Sequence, residues 1–198
     1  MNTVELIDTI FNIASAVDKT GRFHKNQIKM LCDIVYTQRM TMFPEEVMRN
    51  IDSFSKEYTG QSPTLDATRN LRKLTIPAEV IPLPKIPSGI RIINTAQGLD
   101  LDFVGITERE YMYMGGTDTQ TLDTTIAYWI NGSTIWFNES MTPAIANAGV
   151  RVVLIPRFAE YARTDNISIP GGTDYDFIQQ VLTLLGVTAP VDLKANNA

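Results

Sequence analysis

Four prolines, at positions 77, 82, 84 and 87, fall within the stretch TIPAEVIPLPKIPSG (75–89). A proline lacks the backbone N–H and holds φ near −65°, so this stretch can be neither a continuous helix nor an inner strand. It must run extended, and it divides two regions of different texture. Before it, apolar residues recur at helical spacing. After it, short β runs alternate with turn residues. The expected organisation is a helical region (1–74), a proline-rich connector (75–89), a β body (90–170), and a C-terminal helix with a docking tail (171–198). The expected class is α+β, with an antiparallel sheet or sandwich, a short inserted helix and an extended tail.

The helical signals are local. Val4, Leu6, Ile7, Ile10, Phe11, Ala14 and Val17 form one apolar stripe. Asn2 or Thr3 can cap it, Glu5 suits its first turn, and Gly21 closes the segment. Ile28, Leu31, Cys32, Ile34 and Val35 form a second stripe that ends by Phe43, because the residue before Pro44 is pushed out of helical angles. Pro44 suits the start of a third helix, with Val47, Met48, Ile51, Phe54 and Tyr58 on its inner side and Gly60 as its stop. Residues 65–74 are expected to be helical as well. Thr107 with Glu110 makes a capping box for a short helix from Glu108 to Met114, closed by Gly115 and Gly116. Phe177, Ile178, Val181, Leu182 and Leu185 line the last helix, which Gly186 ends.

β runs are expected at 90–94, 99–104 and 150–155, and in the segment AYWINGSTIWF (127–137). Asn131-Gly132 favours a two-residue type I′ turn there. That turn pairs Trp129 with Thr134, Tyr128 with Ile135 and Ala127 with Trp136. One face then carries Ile126, Tyr128, Ile130, Ile135 and Phe137, which is a core face. The other carries Ala127, Trp129, Thr134 and Trp136, with the indoles as diagonal neighbours. Two outcomes are open for that second face: cover by the short helix or a second sheet, or contact with another chain.

The search for chemistry excludes more than it finds. With one cysteine (Cys32) and one histidine (His24), neither an internal disulfide nor a Cys/His zinc cage is possible. His24 lies among Arg22, Lys25 and Lys29, and no G-x-S-x-G elbow accompanies it. Asp100 and Asp102 share one side of a strand, as a glycosidase pair could, or as the outer face of a half-buried strand would. Gly171-Gly172 lacks the rest of a phosphate loop. Arg69, Arg72 and Lys73 form a basic patch, either solvated or set against an acidic partner. The methionines at 30, 40, 42 and 48 suit either an adaptable contact surface or gap filling. No catalytic residue, cofactor or metal is expected.

The net charge of −5 argues against coating nucleic acid, which needs clustered Lys and Arg. No apolar run approaches the roughly 20 residues of a membrane span. The opening MNTVELIDTIFNIASAVDKTG has acids where a signal peptide has bases, so no export signal is expected.

Four segments together resemble the neck proteins of tailed bacteriophages, the adaptor and ring components between portal and tail. They are DKTGRFHKNQ (18–27), KIPSGIRII (85–93), YWINGSTIWF (128–137) followed by VRVVLIPR (150–157), and IPGGTDYDFIQQVLTLLG (169–186). They occur in the order found in that family, over nearly the whole length. The likeness is greatest to structural proteins of crAss-like and related short-tailed phages. The sequence departs from the pattern in the longer segment NESMTP (138–143) and in RFAEY (157–161), which lacks a second proline.

The resemblance implies a non-enzymatic virion protein, made in the host cytoplasm. It implies a homo-oligomeric ring, commonly of about twelve copies meeting head to tail. Such a ring contacts the portal or other neck and tail rings and lines a passage for genomic DNA without reading its sequence. It also implies that the segment holding Phe177, Val191 and Leu193 reaches a neighbour. The alternatives are a tail-hub or fibre-anchoring adaptor, and a hydrolase or carbohydrate-binding domain using Asp100, Asp102 and the tryptophan face.

Overall fold

The computed structural model describes residues 1–96, 103–114 and 125–187. The fold is α+β, and the chain divides into two compact units: Met1–Phe54 with Pro156–Ala198, and Ser55–Ile155. This division differs from the expected one. The proline stretch does not separate the units but lies inside the second. Its residues Ile81 and Leu83 are buried, and Ile76, Ala78 and Val80 pack against that unit's core.

The first unit is helical. Helix α1 (Thr3–Val17) starts on a capping box, in which Asn2 Oδ1 accepts from Glu5 N–H (2.8 Å) and Glu5 accepts from Asn2 N–H (3.0 Å). Helix α2 (Lys25–Met42) stops at Phe43, and Pro44 opens α3 (Pro44–Arg49), as the pre-proline restriction requires. A short α4 (Ile51–Phe54) follows. The third helix therefore does not extend to Tyr58 and Gly60. Those two residues are in a strand, where cross-strand hydrogen bonds replace helical ones. Leu6, Ile10, Ile28, Val35, Tyr36, Met40, Phe158, Phe177 and Val181 are each 0–1% exposed.

Two buried charged side chains tie this core to the chain that returns after residue 155. Asp33 pairs with Arg157 and accepts from Ala159 N–H, which caps the 3-10 turn Phe158–Glu160. Arg39 donates to the carbonyls of Pro170 and Gly171 (3.2 Å each) and to Gln180 Oε1 (3.0 Å).

The second unit is a sandwich. Its strands are β1 (Lys56–Gln61), β2 (Thr64–Asp66), β3 (Leu71–Thr75), β4 (Ile90–Thr95), β5 (Val104–Gly105), β6 (Ala127–Asn131), β7 (Thr134–Phe137) and β8 (Val150–Leu154). One sheet has the order β1-β8-β4, the other β2-β3-β7-β6-β5. All pairs are antiparallel except β5 with β6, which are parallel. Ile90, Ile93, Val150, Val152 and Leu154 of the first sheet share one core with Leu74, Ile135 and Phe137 of the second. Lys56 pairs with Leu154, so this unit begins and ends on adjacent strands.

Residues 65–74 are not a helix. They form the hairpin β2–β3, turned by Asn70 in the left-handed region (φ 54°) and by Asp66, whose side chain accepts from Thr68 N–H and Arg69 N–H. Helix α5 (Glu108–Met114) starts on the expected Thr107–Glu110 box. Helix α6 (Pro143–Ala148), which was not expected, is capped by Thr142 with Pro143 in its first turn. Helix α7 (Asp174–Leu184) is capped by Thr173 and Asp176, and Gly186 follows it at φ 72°. Gly115, Gly116 and residues 97–102 lie outside the described residues.

Candidate interaction surfaces

The tryptophan hairpin has a different register from the one its Asn-Gly pair suggests. Tyr128 faces Phe137, Trp129 faces Trp136, Ile130 faces Ile135 and Asn131 faces Thr134. The turn is therefore Gly132-Ser133, with positive φ at Gly132 (60°) and not at Ser133, as in a type II′ turn. The pairing has moved by one position on each strand. That moves every pair without moving any residue to the opposite face, because side chains alternate with period two. The two faces are those expected, but the indoles now sit directly opposite each other.

The second face is covered by the chain's own elements. Trp129 is 2% exposed, and Tyr111 of α5 stacks on it with ring centroids 4.4 Å apart and planes 19° apart. Burial, and then the bond from Tyr111 Oη–H to Glu139, push the Tyr111 hydroxyl above its ordinary pKa. Trp129 is thus corrected from a partner contact to a core residue.

Trp136 is half-buried beneath two cations, the Arg69 guanidinium 4.6 Å and the Lys73 ammonium 5.5 Å from its ring centroid. Each cation is itself paired, Arg69 with Glu108 (2.9 Å) and Lys73 with Asp66 (2.6 Å). Glu108 also accepts from Asn131 Nδ2 (3.1 Å), and Arg72 donates to the Pro63 carbonyl (3.2 Å). The Lys73 ammonium, with help from the Arg69 backbone N–H, holds the Asp66 carboxyl below its usual range. Arg69 and Lys73 are therefore a network over the indole, with both charges answered from within the chain. Neither indole offers the open platform that a sugar would need.

Phe177 is also corrected. It is fully buried, stacks against Phe158 (6.3 Å) and lies under Arg39 (5.9 Å). Val191, Leu193, Asp100 and Asp102 lie outside the described residues. His24 is at the N-cap of α2, exposed and with no side-chain cap bond.

The sequence offers the methionines around α2 as either a contact surface or gap filling, and both occur there. Among the methionines, Met40 fills a gap in the core, whereas Met30 is 58% and Met42 68% exposed. Ile34 and Phe43 are exposed too. Met42, Phe43, Pro44, Glu45, Glu46 and Arg49 line an open concavity at the α2–α3 junction. Phe43 is held there by Gly171, where any Cβ would meet its ring at 2.0 Å. The available signal was charge placement. The apolar stripe of α2 could be read, but the buried sides of Asp33 and Arg39 left an uncharged outer side.

No protein-family model matches the chain, and no curated protein matches it. Among the described residues, no helix is long and apolar enough to cross a membrane.

Proposed function

We propose that this chain is a structural, non-enzymatic component of a tailed-phage virion, a ring in the neck or tail that joins portal to tail and lines the DNA passage. The four-segment resemblance motivates this proposal. The supporting observation is the outer side of α2 with the adjoining junction, where Met30, Ile34, Met42 and Phe43 are exposed on a small acidic protein. Apolar side chains gathered on one element mark a surface that is covered in use. An acidic ring wall would also repel DNA and so let it pass without sticking.

Mass spectrometry of purified particles tests the proposal. The chain should be present at a fixed stoichiometry relative to the portal, and imaging should place it on the particle axis between head and tail. Its absence from particles, or a position away from that axis, would overturn the proposal.

A further inference from the structure

The tip of the β6–β7 hairpin holds a reactive pair. Asn131 is the one asparagine of the chain that is followed by glycine. An asparagine side chain carries its amide carbon close to the next backbone nitrogen, and ring closure between them is intramolecular. The side chain of the following residue ordinarily hinders that approach. Gly132 has none, and a Cβ built there would meet nothing within 4 Å. The Gly132 N–H is given to no acceptor among the described residues. Asn131, Gly132 and Ser133 are all exposed, so base and water reach them. Other asparagines lack this combination. Asn70, at the β2–β3 turn, is followed by buried Leu71. Asn138 is itself buried, and both ends of its amide are hydrogen-bonded.

We propose that Asn131 is a self-modification site, and that its conversion to a carboxylate weakens the hold of α5 on the hairpin. The Gly132 nitrogen loses its proton to base and attacks Cγ of Asn131. The new N–C bond closes a cyclic imide, the Cγ–Nδ2 bond breaks, and Nδ2 leaves as ammonia with a proton from water. Water then opens the imide at one carbonyl or the other, giving aspartate or isoaspartate. Nothing is oxidised or reduced, and water is the sole co-reactant.

The structure gives the change a consequence. Asn131 Nδ2 donates to Glu108 Oε2 (3.1 Å), and the other oxygen of Glu108 accepts from Arg69 (2.9 Å). Glu108 opens α5, so these bonds tie the helix start to the β6–β7 and β2–β3 hairpins. Conversion exchanges a donor for a group that only accepts. Two carboxylates then face each other where an amide met one, and like charges repel. Isoaspartate also lengthens the backbone at the last residue of β6 and disturbs its pairing with Thr134. The inference does not rest on the virion role, and presence in particles tests that role separately.

Peptide mapping by mass spectrometry is the first test, on the full chain incubated near neutral pH. The amide-to-acid mass change should accumulate at Asn131 before any other asparagine, as a mixture of aspartate and isoaspartate, and faster in mild base than in mild acid. Amide loss absent from Asn131, or spread evenly over the asparagines, would overturn the site. The second test is thermal melting of variants that fix the outcome. Asn131→Asp should melt below Asn131→Ala, because alanine only forfeits the bond to Glu108 whereas aspartate adds repulsion. The gap should narrow with added salt and disappear in a Glu108→Gln background. Asn131→Asp as stable as Asn131→Ala, or a gap that persists without the Glu108 charge, would overturn the link to α5.

Discussion

Burial pushes the thiol of Cys32 up to about 12, and the carboxylate of Asp33 acts in the same direction. In an unfolded chain a thiol ionises near 8.5. The folded state holds the proton more tightly, so its advantage is complete below about pH 8.5 and is lost as pH rises from there toward 12. Chemical denaturation at stepped pH should show stability falling across that window. In Cys32→Ala, which starts less stable, the fall should be shallower. Arg39 is legible in the sequence only as a basic residue at the end of a helix. Its role comes from residues 170, 171 and 180, far along the chain, which present three acceptors to it. Arg39→Met should leave two carbonyls and an amide oxygen without their donor and cost about 2–4 kcal/mol in urea melts. A loss under about 0.5 kcal/mol would mean that water replaces those bonds.

At the scale of elements, the caps were legible and the turns only partly so. Asn2–Glu5, Pro44 and Thr107–Glu110 act within one helical turn, so the chain's local order specifies them. The hairpin of residues 64–75 was missed because Leu65, Leu71 and Leu74 can be fitted to a helical stripe, yet Asp66 and Asn70 carried the turn signal. Asn70 sits in the left-handed region, which costs ordinary residues about 1 kcal/mol or more. Asn70→Ala should therefore destabilise by about that much, while Asn70→Gly should be neutral or better. The β6–β7 turn gives a matching test of register. Gly132→Ala should cost about 1 kcal/mol, and more than Asn131→Ala, which forfeits only the exposed bond to Glu108. The reverse order in thermal melts would restore the Asn131-Gly132 turn.

At the scale of the whole molecule, Ser55–Ile155 is one continuous segment whose ends meet on β1 and β8. It carries a core shared by both of its sheets. Expressed alone, it should fold cooperatively and retain the near-ultraviolet signal of stacked Tyr111 and Trp129. Residues 1–54 alone should not fold, because α2 packs on α7 and on the 3-10 turn at 158–160. A well-folded 1–54 with native helicity would contradict that division. The proline stretch misled the placement of the boundary for a physical reason. Proline forbids regular pairing, but it does not prevent burial, and Ile81 and Leu83 between the prolines are core residues. What the sequence determined unaided is what acts over a few residues: the helix starts at Asn2, Pro44 and Thr107, and the two faces of the tryptophan hairpin, which survive a shifted register because side chains alternate; the stretch 75–89, expected to run extended, instead turns back between Leu83 and Ile86, which bond to each other. The tertiary structure decided which of those faces was already covered, which charges of α2 turned inward, and where one unit was inserted into the other. Each of these depends on partners in other elements, such as Tyr111 for Trp129 and Arg157 for Asp33, and no local pattern encodes the side on which such a partner arrives.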